Sequence, residues 1–384
     1  MVEAAAQQPI LHSRERYLGG ALAGTHGAHP DARRGRGVVG NPSGRYEREH
    51  RQSLDDGWDN LDAPPPPLRT QVLKDASRSI IARNQSPDIP FDRSINPYRG
   101  CEHGCTYCFA RPTHAWLGLS PGLDFESKIY MKPEAPTLLD KALRARGYQC
   151  RTMAMGTNTD PYQPVERKYQ VTRGVLEVLA RFNHPVGIVT KSALIARDID
   201  ILAPMAAKQL AKVAVSVTTL DGDLARTMEP RASTPLRRLE AIRKLSAAGI
   251  PTAVMFAPVI PGLNDHEMEQ VLTAARDAGA REAGYVVLKL PLEVRDLFQE
   301  WLTAAVPGRA KHVMTLVRAM RNGRDYDPEW GTRMSGVGPI AEAIRQRFVL
   351  ACKRLGLNER TYHLDATQFR VPVDQTSDQL SLAL

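Results

Sequence analysis

Three cysteines fall within one short stretch, NPYRGCEHGCTYCFARPTH, which runs from Asn96 to His114. Cys101, Cys105 and Cys108 are separated by three residues and then by two. Thiolates this close together suit zinc or an iron–sulfur cluster. A structural zinc takes four protein ligands. His103 or His114 is within reach as a fourth, and a catalytic zinc would fill that place with water. In an iron–sulfur cubane each corner iron takes one thiolate. Three cysteines then leave one iron open to a small molecule. The spacing admits both chemistries.

The remaining cysteines, Cys150 and Cys352, stand alone, so the five together do not form a disulfide framework. A clustered set in a reducing compartment points to metal, and the expected location is cytoplasmic. The chain opens MVEAAAQQPI, with no basic segment leading into an apolar one, so no secretory signal is expected. No apolar run approaches the roughly 20 residues that span a bilayer. The formal charge of +9 suits a phosphate-bearing partner such as nucleic acid, and equally an arginine-rich solvated surface.

Residues 1–68 read as a disordered leader rich in arginine, glycine and proline, ending in the polyproline run Pro64–Pro67. Beyond it strands alternate with helices. Strands are expected at RSINPY (93–98), 151–157, 186–192, 213–220, 252–260 and 282–290. Amphipathic helices are expected at 172–182, 193–205, 234–249 and 264–279. In the third of these helices Thr234 is placed to cap, and Leu236, Leu239, Ile242 and Leu245 form the apolar stripe. Asn264 is placed to open the fourth. Six strand–helix units imply a parallel sheet covered by helices, either doubly wound or as a partial barrel. The segment 69–291 is the expected core domain. Residues 292–384 form a less regular extension with two amphipathic helices, at 310–323 and 339–356, joined by the loop RDYDPEWGTRMSGVG.

In either sheet type, ligands sit at the carboxyl ends of the strands. The cysteine loop follows the first strand, GTNTDPYQPVE the second, TKS the third, SVTT ends the fourth and APVIPGLND follows the fifth. This convergence favours a reaction site over a metal-stabilised nucleic-acid-binding protein without catalysis, which is the alternative.

The Cys-x3-Cys-x2-Cys loop, with Tyr107 before its last cysteine, resembles the signature of the radical S-adenosylmethionine (SAM) superfamily. GTNTDPYQPVE, VTKS and APVIPGLND are similar to segments of its spore photoproduct lyase-like branch and an uncharacterised bacterial subfamily within it. The resemblance implies a partial (β/α)6 barrel and a lyase-like enzyme that holds a [4Fe–4S] cluster on Cys101, Cys105 and Cys108. It further implies that SAM fills the open iron. Tyr107 would lie by the adenine, Thr157 and Asn158 would meet the methionine amino group, and Lys191 its carboxylate. Ser216 would bond the ribose and the Ala257–Pro258 backbone the adenine edge. A reductant such as flavodoxin or ferredoxin is implied, and nucleic acid is a candidate substrate. Two residues of the lyase pattern are missing. No cysteine neighbours Thr157, and Phe109 stands where the lyase has a tyrosine.

Overall fold

The computed structural model describes residues 34–47 and 67–373. Six strands of the main sheet run parallel, and the sequence before them supplies one antiparallel edge. The strands are β1 (Gln71–Lys74), β2 (Ile81–Arg83), β3 (Arg93–Ile95), β4 (Tyr98–Arg99), β5 (Lys128–Met131), β6 (Met153–Met155), β7 (Val186–Thr190), β8 (Ala211–Ser216), β9 (Thr252–Val259) and β10 (Glu282–Val287). The main sheet has seven strands in the order β10-β9-β8-β7-β6-β3-β2. Strands β3 and β6 to β10 pair in parallel, and β2 lies antiparallel on the β3 edge. These are the six expected parallel strands in chain order. The segment 69–83, which has no decisive period, supplies β1 and β2. A second, three-stranded sheet, β1-β5-β4, carries the cysteine loop on β4.

One face of the main sheet is apolar because alternate positions carry Ile95, Met153, Met155, Val186, Ile188, Val213, Val215, Val254 and Phe256. All are buried, and they join one core with the helices. The covering helices include α1 (Leu123–Ser127), α2 (Ala135–Leu143), α3 (Glu166–Tyr169), α4 (Val171–Arg181), α5 (Ile199–Ala207), α6 (Gly222–Met228), α7 (Pro235–Ala247) and α8 (Met268–Asp277). Strand register puts Ala154 beside Gly187, Val189 beside Ala214, Ala214 beside Ala253, and Gly284 beside Met255 on the other face. A filled barrel packs its interior with bulky branched side chains. Here small residues take many positions of that face, and Val189 is 39% exposed.

The expected C-terminal extension is helical, with one more helix than the sequence suggested: α9 (Val294–Ala305), α10 (Pro307–Ala319) and α11 (Gly338–Leu355). Residues 356–373 run across the amino-terminal ends of the strands. Asn358 bonds the backbone of Arg281 and Ala283, Tyr362 donates its amide to the Glu282 carboxylate and its hydroxyl to Ala206, and Arg370 donates its amide to Phe182. The tail therefore closes the end of the sheet away from the cysteine loop.

The loop 324–336 closes a different gap. Val287 of the β10 edge donates its amide to Met334, while Gly331 and Arg333 reach Asp88 and Ser86 in the turn between β2 and β3. Strands β2 and β10 are the two edges of the sheet. The loop spans the open side of the barrel and is more than a connection.

The leader reading fails for residues 34–47. Arg36 and Val38 are buried against the core, at 7% and 0% exposure. The other leader residues lie outside the described ones. Two cap assignments also change. Thr234 precedes α7 without a side-chain cap bond, and Asn264 cross-links strand ends instead of capping. Its amide donates to Thr218 and Pro258 carbonyls at 2.7 and 3.0 Å. Along α7, Leu236 is 78% exposed and Arg238 takes the buried place, because Arg238 has a carboxylate to meet inside.

Candidate radical SAM site

The cysteine loop is held from three sides. From below, Glu126 of α1 is wholly buried. It accepts the amides of Gly37 and Val38 at 2.8 and 3.1 Å and the guanidinium of Arg111, which in turn donates to the Cys105 carbonyl at 3.0 Å. Arg36 adds a bond to the Glu126 carbonyl and another to Leu68. The Gly-rich leader segment thus threads under the loop. The fit is tight: a Cβ at Gly37 would stand 1.7 Å from the Gly104 carbonyl oxygen, and Gly104 adopts φ +67° against Glu126. Gly37→Ala is therefore expected to displace the loop, and metal analysis after iron and sulfide loading should show iron well below the parent protein.

From the side, Gln163 accepts the Glu102 amide at 2.9 Å and donates to the Gly100 carbonyl at 3.2 Å. Asp160 ties three elements. It accepts the Tyr162 and Lys191 amides and the Thr190 hydroxyl, at 2.9, 2.7 and 2.7 Å, and faces His103 Nδ1 at 3.4 Å. Burial opposes its charge, but His103 and these donors outweigh it and hold the carboxyl down at about 2. Asp160 is thus a fastener between the second and third strand ends and the loop. Glu166 is also internal: it accepts the Thr172 and Arg173 amides at the start of α4 and pairs with Arg197.

From above, Glu229 accepts the Tyr107 and Thr218 hydroxyls and pairs with the buried Arg238, which also donates to the Ser216 carbonyl at 3.0 Å. Glu229 does not pair with Arg231, two residues along the chain. Arg231 pairs instead with Glu102 at 3.1 Å.

All three loop cysteines are free, with Cys101 and Cys105 7% exposed and Cys108 half-buried. Burial pushes the thiols of Cys101 and Cys105 up. Mutual repulsion among the sulfurs contributes at Cys101, and the Glu229 charge contributes at Cys105. Burial thus opposes the thiolate at Cys101 and Cys105, and binding a metal there would release their protons. Among the described residues, no three His, Cys, Asp or Glu side chains converge to hold a single ion. The zinc ligands considered are engaged elsewhere. His103 faces Asp160, and His114 lies in the core against Phe125 with its Nε2 at 3.0 Å from the Lys128 carbonyl. Three free thiols on one loop, with both candidate zinc histidines engaged elsewhere, fit a multi-iron cluster.

The sequence matches the radical SAM superfamily over residues 95–275. It is 38% identical over 242 residues to an uncharacterised protein of Mycobacterium tuberculosis, covering 62% of this chain and 71% of that one. This chain belongs to the radical SAM superfamily. An uncharacterised protein of Methanocaldococcus jannaschii is 28% identical over 200 residues, 52% of this chain and 71% of that one. The fold is similar to that of spore photoproduct lyase. One variant structure aligns with TM-score 0.55 at 13% identity over 74% of this chain and 80% of that one. Another, with bound AdoMet and dinucleoside spore photoproduct, aligns with TM-score 0.55 at 12% identity over the same shares. Superfamily membership implies SAM and a [4Fe–4S] cluster.

The residues expected to meet SAM lie at the carboxyl ends of the strands. The Tyr107 ring is 5.6 Å from the Lys191 ammonium. The Thr157 hydroxyl and the Asn158 amide both donate to Asn96 Oδ1, at 3.4 and 3.1 Å, and the Asn158 side chain is exposed. Ser216 donates its hydroxyl to the Ala257 carbonyl at 3.1 Å, which brings those two together while satisfying the hydroxyl locally. Asn96, Gln163, Glu126 and Arg238 escaped the sequence reading. Gln163 and Asn96 stood inside stretches already singled out. Glu126 and Arg238 carried no local signal, since their partners are 89 and 9 positions away.

Proposed function

We propose that this protein is a radical SAM enzyme whose cluster rests on Cys101, Cys105 and Cys108 and whose substrate is a nucleic acid. The observation that carries the reading is a set of three free, mutually close thiols on one loop at the carboxyl ends of six parallel strands. When bound, the cluster and SAM supply reductive cleavage to methionine and a 5′-deoxyadenosyl radical that takes a hydrogen atom from substrate. The protein's residues bind and aim. Lys191, its amide fixed by Asp160, pairs with the methionine carboxylate. Asn96 orients Thr157 and Asn158 for the amino group. Ser216 and the Ala257–Pro258 backbone border the ribose and adenine, and Tyr107 is pinned beside them by Glu229. The small residues on the sheet face opposite the helix-packed core suit a substrate lying against that face. The division into a core at 69–291 and an extension from 292 belongs to this reading, as do a flavodoxin- or ferredoxin-type electron donor and a cytoplasmic setting. No helix among the described residues is long and apolar enough to cross a membrane.

The lyase's means of returning hydrogen is not supported here. Cys150 precedes β6, at the opposite end from Thr157, and Cys352 is buried on α11. Phe109 has no hydroxyl hydrogen to give. The reading therefore includes a reaction other than spore photoproduct repair. The test uses the iron-loaded protein with SAM, dithionite and oligothymidylate deuterated on its sugars and methyl groups. Deuterium in the recovered 5′-deoxyadenosine supports nucleic acid as the substrate. Its absence across single- and double-stranded DNA and RNA removes nucleic acid and leaves the cluster assignment standing.

A further inference from the structure

At the seam between the cysteine loop and the loop that spans the barrel's open side, one lysine has no charge partner. Lys289 follows β10, and its ammonium lies 4.2 Å from the centre of the Phe109 ring and 3.6 Å from the Met334 sulfur. Among the described residues no carboxylate lies within ion-pair distance of it. Arg333 is engaged with Asp88 and Ser86, and Arg321 is buried with its guanidinium on the Leu288 and Thr332 carbonyls. Three cations thus surround this corner, with Asp88 already committed to one of them. Phe109, the next residue after Cys108, exposes 46% of its surface at the same place. A cation beside an exposed aromatic face is the pairing that holds a phosphate and stacks the ring it carries.

We propose that Lys289 and Phe109 form a substrate subsite, Lys289 binding a backbone phosphate and Phe109 stacking the adjoining base of a single strand. The inference rests on the reading of the cysteine loop as the reaction centre, because it places the strand against the residue next to Cys108. Lys289 acts as a positioning and specificity residue: it fixes which nucleotide reaches the cysteine loop. An unpaired ammonium held over a ring loses its hydration and regains a partner only when an anion enters.

The test is anisotropy of a fluorescent 5′-phosphorylated oligothymidylate with the full-length, iron-loaded protein, without reductant, across a salt series. Lys289→Met is expected to weaken binding about tenfold, the loss of one charged hydrogen bond, and to lower the salt slope by about 0.7, one phosphate contact on a single strand. Lys289→Arg should retain most of the affinity, and Phe109→Leu should weaken binding without changing the slope. Equal affinity and slope for parent and Lys289→Met would overturn the proposal, as would no binding by the parent. Loss of iron from Lys289→Met would assign the lysine to the cluster's charge balance and overturn it too. Binding is read without SAM cleavage, so failure here is separable from failure of the radical reading.

Discussion

Replacing Glu126 with alanine is expected to leave the protein unable to hold its cluster, although Glu126 touches no cysteine sulfur. The carboxylate is wholly buried, receives two leader amides and pairs with Arg111, also wholly buried. Removing one member of such a pair strands the other charge in the interior, at a cost of about 3–5 kcal/mol. It also frees the two amides and the arginine that braces the Cys105 carbonyl. Chemical denaturation should show the destabilisation, and iron and sulfide analysis should show little cluster. Glu126→Gln keeps the shape and one acceptor, so it should fall between. A Glu126→Ala protein that loads a full cluster would mean that the leader and α1 do not set the loop.

Asp160→Asn is expected to separate SAM binding from cluster binding. Asp160 receives donors from Tyr162, Thr190 and Lys191 on two of its oxygens. An amide replaces one acceptor oxygen with a donor, which opposes the Lys191 amide or the Thr190 hydroxyl directly. Each charged hydrogen bond weakened costs about 1.5–3 kcal/mol. The backbone turn that carries Lys191 should then drift, and SAM affinity of the iron-loaded protein, measured by equilibrium dialysis, should fall by about tenfold or more. Iron content should stay close to the parent value, because Gln163, Arg111 and Glu126 still hold the loop. Unchanged SAM affinity would show that Asp160 does not aim Lys191.

The cysteine loop was legible because its chemistry lies in consecutive residues, where type and spacing are the signal. The six parallel strands were legible for a similar reason: each apolar run ends at a Gly, Pro or polar cluster, and alternation with helical periods leaves few topologies. What periodicity could not deliver was the partner of a charge. Arg238 lies on a helix whose apolar stripe nominated Leu236 for burial, yet the arginine is inside because Glu229 waits there. The same holds for Gly37 and Glu126. In sequence they are a glycine in an arginine-rich segment and a glutamate in an ordinary helix, and only their contact reveals that the leader is part of the site. Strands β1 and β2 are short and mostly exposed, so they bury too little to leave a pattern.

The central claim is that three thiolates and an open iron hold SAM for reductive cleavage. The most direct measurement is release of 5′-deoxyadenosine. The protein is purified without oxygen, loaded with iron and sulfide, supplied with SAM and dithionite, and compared with Cys105→Ala. The account predicts a brown protein that releases the nucleoside, and a Cys105→Ala control that releases none. A colourless protein that takes up zinc in place of iron, or release that persists in the control, would contradict it.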